Sequence, residues 1–380
     1  MKTNVKVVIG ANFGDEGKGL MTDYFCHETS KPVLNIRFNG GAQAGHTVTN
    51  EDGRRHVFSH FGAGSFNKNA DTYLSKYFIA NPIVFRRELD KLAKLGIKPR
   101  VFISPLTRVT KPQDMMLNQF VEERRRGNKH GSCGLGVFET IKRYESNKRG
   151  SEFLIERMSQ LNMKELTIRE LELLNDKNIL SKYYDDLEFF MNYVTVVPNE
   201  KDLFSGYENI VFEGAQGLLL DRNNLDYFPN LTPSNTGLHN VNEMLPFIKE
   251  PDIEVCYTTR TYFTRHGAGR FETETNKIDI VGDSFNDNTN IDNIYQDSIR
   301  YGYFDSELFK KTILNDVKFL GDRDYSLSIA VTHCNVTNGF IVCKPNKVPT
   351  NRLPEILFGG RKVGQYLSNS KTCSGVIKVS

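Results

Sequence analysis

Residues 5–19 read V-K-V-V-I-G-A-N-F-G-D-E-G-K-G: an apolar run that stops at a glycine-rich turn and passes, from about Leu20, into a helical pattern. A run this short and this apolar is a strand covered on both faces. Strands of that kind, alternating with helices, build parallel sheets. The same kind of run recurs at Val33–Phe38, Tyr73–Ile79, Arg100–Ser104, Ile210–Phe212, Glu254–Tyr257, Ser326–Val331 and Phe340–Lys344. Helical patterns lie between several of them. In Ile83–Leu95, Asn81 reads as N-cap, Pro82 as the first helical residue and Gly96 as the C-cap. Asp305–Asn315 is a second candidate helix. The reading is an α/β fold: a large, mainly parallel central sheet flanked by helices, with loop and helical insertions. The Asn- and Asp-rich segment Asp283–Asp297 reads as a long mobile loop.

Bulk composition narrows the function classes. With 380 residues the chain can bury a large core, as one large domain with insertions or as two. Its net charge is +3 with both signs interspersed, so composition makes no case for a nucleic-acid or membrane partner. The one dense basic run, Arg124-Arg125-Arg126, follows an amphipathic stretch and reads as a solvated helix end. The six cysteines form no C-x-x-C pair and keep no regular spacing, which argues against a zinc site or a disulfide framework and fits a reducing cytoplasm. The N-terminus enters a strand without a signal peptide, and no apolar run approaches the roughly 18 residues of a membrane span. The expectation is a cytoplasmic protein.

The glycine turns carry the chemistry. Gly14-Asp15-Glu16-Gly17-Lys18-Gly19 is not a standard P-loop, since the position five before Gly17 is Asn12 and a glycine follows Lys18. Backbone N–H groups, a helix N-terminus and the Lys18 charge still suit phosphates. An acid beside phosphates is tolerated where Mg²⁺ lies between them, or where the acid accepts a proton. A second cluster, F-N-G-G-A-Q-A-G-H-T-V from Phe38, sets His46 past a turn at a strand's carboxyl end, where α/β folds place ligands. A third, V-F-E-G-A-Q-G-L-L-L-D from Val211, offers the Gln216 amide, which both donates and accepts. Thr232 and Ser234 in F-P-N-L-T-P-S-N-T are phosphate contacts or plain turn residues. The fourth cluster is T-R-H-G-A-G-R-F-E-T-E from Thr264.

In this order the motifs G-D-E-G-K-G, G-G-x-x-A-G-H-T, E-G-A-Q-G-x-L-L-D with S-N-T, and T-R-x-G-A-G-x-F-x-T-E resemble the adenylosuccinate synthetases, from residue 7 to the C-terminus. The resemblance implies a single domain over residues 1–380, a homodimer, and a ligase that joins L-aspartate to C6 of a 6-oxopurine nucleotide. It places the general base on Asp15 and the general acid on His46, with Mg²⁺ held by Asp15 and the Gly45 carbonyl. Gly14, Glu16, Gly17, Lys18, Gly19, Gly45, Thr47, Asn335 and Ser368 would meet the nucleoside triphosphate. Asp15, Lys18, Gln43, Ala44, His46, Ser132, Cys133, Gln216 and Thr232 would meet the purine nucleoside monophosphate. Arg143, with Arg149 as rival, would reach it from a partner subunit, and Arg300 would meet aspartate.

Three departures from that pattern bear on substrate. The guanine-reading T-K-x-D appears as Thr332-His333-Cys334-Asn335. A carboxylate accepts from two guanine N–H donors, whereas an amide suits adenine, so the donor reads as ATP or dATP. The viral 2-aminoadenylosuccinate synthetases, which act on dGMP, share that replacement. Ala42, Gln43, Ser132 and Cys133 differ from the cellular pocket. Asp15 is retained, where some viral relatives carry serine. The Thr- and Arg-rich aspartate loop is reduced to N-I-Y-Q-D-S-I-R-Y-G-Y-F-D, in which Arg300 survives. The preferred acceptor is dGMP. The alternatives are IMP with GTP or ATP, a regulatory nucleotide-binding module without the chemistry, and a nucleic-acid-binding protein, for which no basic, aromatic-interleaved surface is visible.

Overall fold

The computed structural model describes residues 2–125, 131–146, 167–282, 285, 298–359 and 362–379. A ten-stranded sheet runs through it in the order Val376–Lys378, Gly364–Ser368, Tyr325–Thr332, Pro251–Arg260, Thr3–Gly10, Asn209–Gly217, Val33–Arg37, Ala70–Leu74, Val101–Ile103, Thr195–Val196. Neighbours are parallel throughout except at the first edge, where Val376–Lys378 turns back on Gly364–Ser368. The first strand is central; on one side the sheet grows outward in chain order from Pro251–Arg260, and on the other Asn209–Gly217 returns from the edge to insert between it and Val33–Arg37.

The apolar runs lack alternation because both sheet faces are covered. Val5, Val7 and Ile9 join Phe212, Tyr257 and Ile329 in the larger core on one face. Val8, Val211 and Cys256 point the other way, onto Leu20, Met21 and Phe25 of the helix Lys18–His27. That helix starts at Lys18, two residues before the sequence suggests, because Gly17 takes a left-handed φ of 89° and turns the chain directly into it.

The helix Pro82–Lys94 is N-capped as read, with the Asn81 side chain accepting from the N–H groups of Ile83 and Val84; its C-cap is Leu95 rather than Gly96, which follows at φ 77°. Asp305 likewise caps Ser306–Asp316. Two apolar runs divide. Tyr73–Ile79 breaks at a turn closed by Phe78 N–H onto the Ser75 carbonyl, leaving the strands Ala70–Leu74 and Ile79–Ala80. Phe340–Lys344 gives only Phe340–Ile341, paired with Val348–Pro349 in a small ladder. Gly364–Ser368 was not legible as a strand, since polar residues interrupt it. Within the basic run, Arg124 pairs with Glu170 and Arg125 with Glu122 at the end of Pro112–Arg125, so they are ion-paired within the chain. Arg126, Arg149 and, apart from Phe285, the loop Asp283–Asp297 lie outside the described residues. Among the described residues, no helix is long and apolar enough to cross a membrane.

Candidate functional site

Three of the four glycine-rich motifs leave the carboxyl ends of neighbouring parallel strands, and the fourth follows Phe263–His266 of a small antiparallel sheet. The turns after Gly10, Arg37, Gly217, Arg260, Thr332 and Ser368 therefore converge on one edge of the sheet, around the central strand where its order reverses. The turns interlock through atoms that a side chain would displace. A Cβ on Gly217 would stand 2.2 Å from the Asn12 carbonyl oxygen, and one on Gly40 2.5 Å from the Ala215 Cβ. Asn39 ties two turns together, donating to the Ala215 and Asn235 carbonyls and accepting from Ala215 N–H.

Asp15, Gln216 and His333 hold left-handed φ values of 57°, 64° and 60°. Non-glycine residues persist in that region where the surroundings fix them, and such positions cluster at functional sites. Asp15 is exposed at the tip of its turn, and Arg260 donates from Nε to the Asp15 carbonyl at 2.5 Å, so the backbone below the carboxylate is clamped. Thr332 braces the other side, its hydroxyl donating to the Glu16 carbonyl at 3.1 Å and its Cγ2 filling the space beside Gly17.

The Glu16 side chain turns into the protein, which leaves its backbone N–H for the expected triphosphate contact. Only 2% exposed, it folds back beneath Gly10 and accepts from Asn12 N–H at 2.6 Å. Burial pushes its carboxyl up to about 8, against the lowering effect of Lys18. Lys18 is buried as well, and desolvation lowers its pKa against the pull of Glu16 and Asp15. An anion on the loop N–H groups would favour the charged ammonium. Gly19 has a packing role as well: its bare Cα lets the strand His46–Thr49 lie against the helix, with a Cβ there meeting His46 Cβ at 3.0 Å. Gly19 thereby brings His46 to Lys18.

His46 is buried, and its Nδ1 hydrogen-bonds Oε1 of the fully buried Glu213. Glu213 Oε2 accepts from Ala63 N–H at 2.9 Å, and Arg37 Nη1 stands 3.8 Å from Oε1. Burial alone would raise the Glu213 carboxyl, yet the Arg37 charge and His46 hold it below its usual value. Burial pushes His46 down against the pull of Glu213. With Nδ1–H donated to Glu213, Nε2 is the acceptor of the neutral ring and the donor of the protonated one. The residues Glu213, Arg37 and Arg260 escaped the sequence reading. The available signal was an acid and an arginine at the ends of otherwise apolar strands.

The remaining predicted residues divide into two groups. Gln43 and Ala44 lie in the turn before His46, and Gln43 Oε1 is buried without a hydrogen bond. Gly131, next to Ser132 and Cys133, sits against Gly267 and Ala268, so those two turns meet, while the Ser132 hydroxyl donates to Asn118 at 2.6 Å. Thr232 N–H donates to the Leu220 carbonyl, holding its loop beside Gln216. Thr47 is half-buried on the His46 strand. Asn335 is exposed in a turn whose Cys334 N–H donates to the Ser368 carbonyl, so Asn335 and Ser368 share one corner.

Two arginines expected to meet ligands are engaged within the chain. Arg143 grips Asp114 through Nε and Nη2 and also donates to the Val109 carbonyl, so its guanidinium is committed within its own chain. Arg300 pairs with Glu274 at 2.6 Å and donates to the Gly267 and Gly269 carbonyls; it braces that turn. For a divalent cation, Asp15 and the Gly45 carbonyl are exposed hard-oxygen donors, a set that suits Mg²⁺.

A doubly covered parallel sheet with glycine turns, a buried lysine and a Glu–His pair at its switch point defines a nucleotide-binding α/β protein. The family model for adenylosuccinate synthetase matches residues 7–321, and the chain belongs to that family. It is 34% identical over 292 residues to adenylosuccinate synthetase of Acaryochloris marina, covering 70% of this chain and 62% of the relative. It is 31% identical over 326 residues to that of Lactobacillus helveticus, covering 79% and 71%. The matched region thus spans less than two thirds of the Acaryochloris protein. Two solved structures share the fold. Fully ligated adenylosuccinate synthetase from Plasmodium falciparum aligns with a TM-score of 0.64 at 18% identity, over 99% of this chain and 100% of that one. Succinoaminodeoxyadenylate synthetase of cyanophage S-2L, bound to dGMP and to dATP as energy donor, aligns with a TM-score of 0.67 at 15% identity, over 100% and 96%.

Proposed function

We propose that the protein is a carbon–nitrogen ligase that joins L-aspartate to C6 of a 6-oxopurine nucleoside 5'-monophosphate, with dGMP as acceptor and ATP or dATP as donor. The observation that carries this reading is the pairing of an exposed Asp15 on a clamped left-handed turn with the buried His46–Glu213 pair beside Lys18. A lactam carbonyl is a poor electrophile, and its oxygen is a poor leaving group. The Asp15 carboxylate removes the N1 proton, and the purine O6 then attacks the γ-phosphorus as the bond to the leaving nucleoside diphosphate breaks. Protonated His46, steadied by Glu213, donates from Nε2 to the developing phosphoryl oxygens, and Lys18 balances their charge. The aspartate amine next adds at C6, and inorganic phosphate departs with the O6 atom. Mg²⁺, when bound by Asp15 and the Gly45 carbonyl, supplies charge neutralisation at the phosphates.

Support for dGMP and an adenine donor comes from Asn335 in place of the family's aspartate and from the ligands of the cyanophage neighbour. A second reading, IMP with GTP or ATP, is favoured by the named relatives and by the retained Asp15. Arg300, already paired with Glu274, makes the aspartate subsite the part that needs direct testing. The experiment is kcat/KM for dGMP, GMP and IMP with ATP or GTP and aspartate, with product mass as readout. A dGMP pocket is expected to disfavour IMP by about 1–3 kcal/mol through an unpaired acceptor. Asp15→Asn is expected to cost about 10²–10⁴ in rate. Preference for IMP returns the protein to ordinary adenylosuccinate synthesis. Absence of product with every acceptor supports a regulatory nucleotide-binding role, and near-normal turnover of Asp15→Asn removes that residue from the chemistry.

A further inference from the structure

We propose that Asp23, His27 and Cys373 form a transition-metal site, of the zinc class, that fastens the C-terminal segment to the helix carrying Lys18. One ligand atom from each of the three lies within 4.8 Å of the other two. Asp23 and His27 are one helical turn apart on Lys18–His27 and so share a face. Cys373 opens the turn Cys373–Gly375 that leads into the edge strand Val376–Lys378.

The second observation is the state of Asp23. It is 0% exposed, and no well-directed hydrogen bond reaches either carboxylate oxygen; its close partners are the His27 ring and the Cys373 thiol, the other two members of the cluster. His27 Nδ1 is 3.2 Å from Oδ1, but it is directed at the Asp23 backbone carbonyl at 2.9 Å. A buried carboxylate whose nearest donors are poorly directed is costly, and a bound metal ion would compensate it. The donor set of carboxylate, imidazole and thiol selects a borderline-soft ion over Mg²⁺ or Ca²⁺. The fourth position falls to water or to Glu51, whose Oε1 stands 3.8 Å from the Cys373 sulfur. The site is also at the carboxyl end of its helix, where the backbone dipole favours positive charge. Metal binding to the Cys373 thiol releases its proton. The cysteine spacing argues against zinc only for cysteine-framed sites. A single cysteine meeting a helix pair some 350 residues away leaves no spacing to read.

The test uses the full chain, stripped with a chelator and held in excess Mg²⁺ so that hard-oxygen sites stay filled. Co²⁺ is titrated while the sulfur-to-cobalt charge-transfer and d–d bands are followed. One Co²⁺ per chain with a four-coordinate spectrum is expected, displaced by Zn²⁺. Cys373→Ser is expected to abolish the charge-transfer band, and His27→Gln, at a half-exposed position, to weaken binding at least tenfold while the fold persists. A chain that shows no charge-transfer band at saturating Co²⁺ overturns the proposal. So does a band that survives at the same affinity in both variants.

Discussion

Glu213 engages Nδ1 of His46 and leaves Nε2 for the proposed proton donation, and it does so from a position with no exposure of its own. It is therefore a positioning residue. Replacing it with glutamine keeps the volume and removes the charge that raises the His46 pKa. Glu213→Gln is expected to lower turnover by about 10²-fold, within the range for general acid–base catalysis. Its basic limb in the pH–rate profile should move to lower pH, because the ring loses its proton earlier. A purely structural role would lower the melting temperature without moving that limb. This pair was only half legible beforehand. His46 stood in a recognisable glycine motif, but its partner lies 167 residues away along the chain. Parallel strand pairing, which no local pattern encodes, brings Glu213 opposite Arg37 on the adjacent strand.

The elements are joined by a few buried polar contacts, of which Asp316 makes the clearest. It ends the helix Ser306–Asp316, accepts from Leu238 N–H at 2.9 Å, and accepts from Tyr257 O–H at 2.7 Å. It thereby ties this helix both to the start of Leu238–Met244 and to the sheet. Burial raises its carboxyl from 3.8 to about 7. Between those values the folded chain binds a proton that the unfolded chain has lost. The contribution is thus fully present below the unfolded pKa and is lost as pH rises through the folded one. At 1.36 kcal/mol per pKa unit, the span is about 4 kcal/mol. Asp316→Asn should flatten the fall in stability between pH 4 and 7, as measured by urea unfolding at fixed ionic strength. An unchanged slope would show that Asp316 does not carry this dependence.

At the scale of the whole molecule, stability rests on a core divided between the two faces of one sheet, with no covalent cross-link. All six cysteines are free thiols. For the metal-free chain the melting temperature is therefore expected to be the same with and without a phosphine reductant, as scanning calorimetry would report; a drop on reduction would reveal a bridge. By itself the sequence determined the sheet's central strands and their glycine turns, and it singled out Asp15, Lys18, His46 and Gln216 for the proposed chemistry. Those signals are local: apolar runs covered on both faces, and turns that only glycine can make. Tertiary structure decided what surrounds them. It turned Glu16 inward, set Glu213 and Arg37 behind His46, engaged Arg143 with Asp114 and Arg300 with Glu274, and brought Cys373 to the helix of Asp23. Each of these depends on strand order and burial. Sequence spacing states neither, because a parallel sheet joins residues through crossovers whose length carries no information about who becomes whose neighbour.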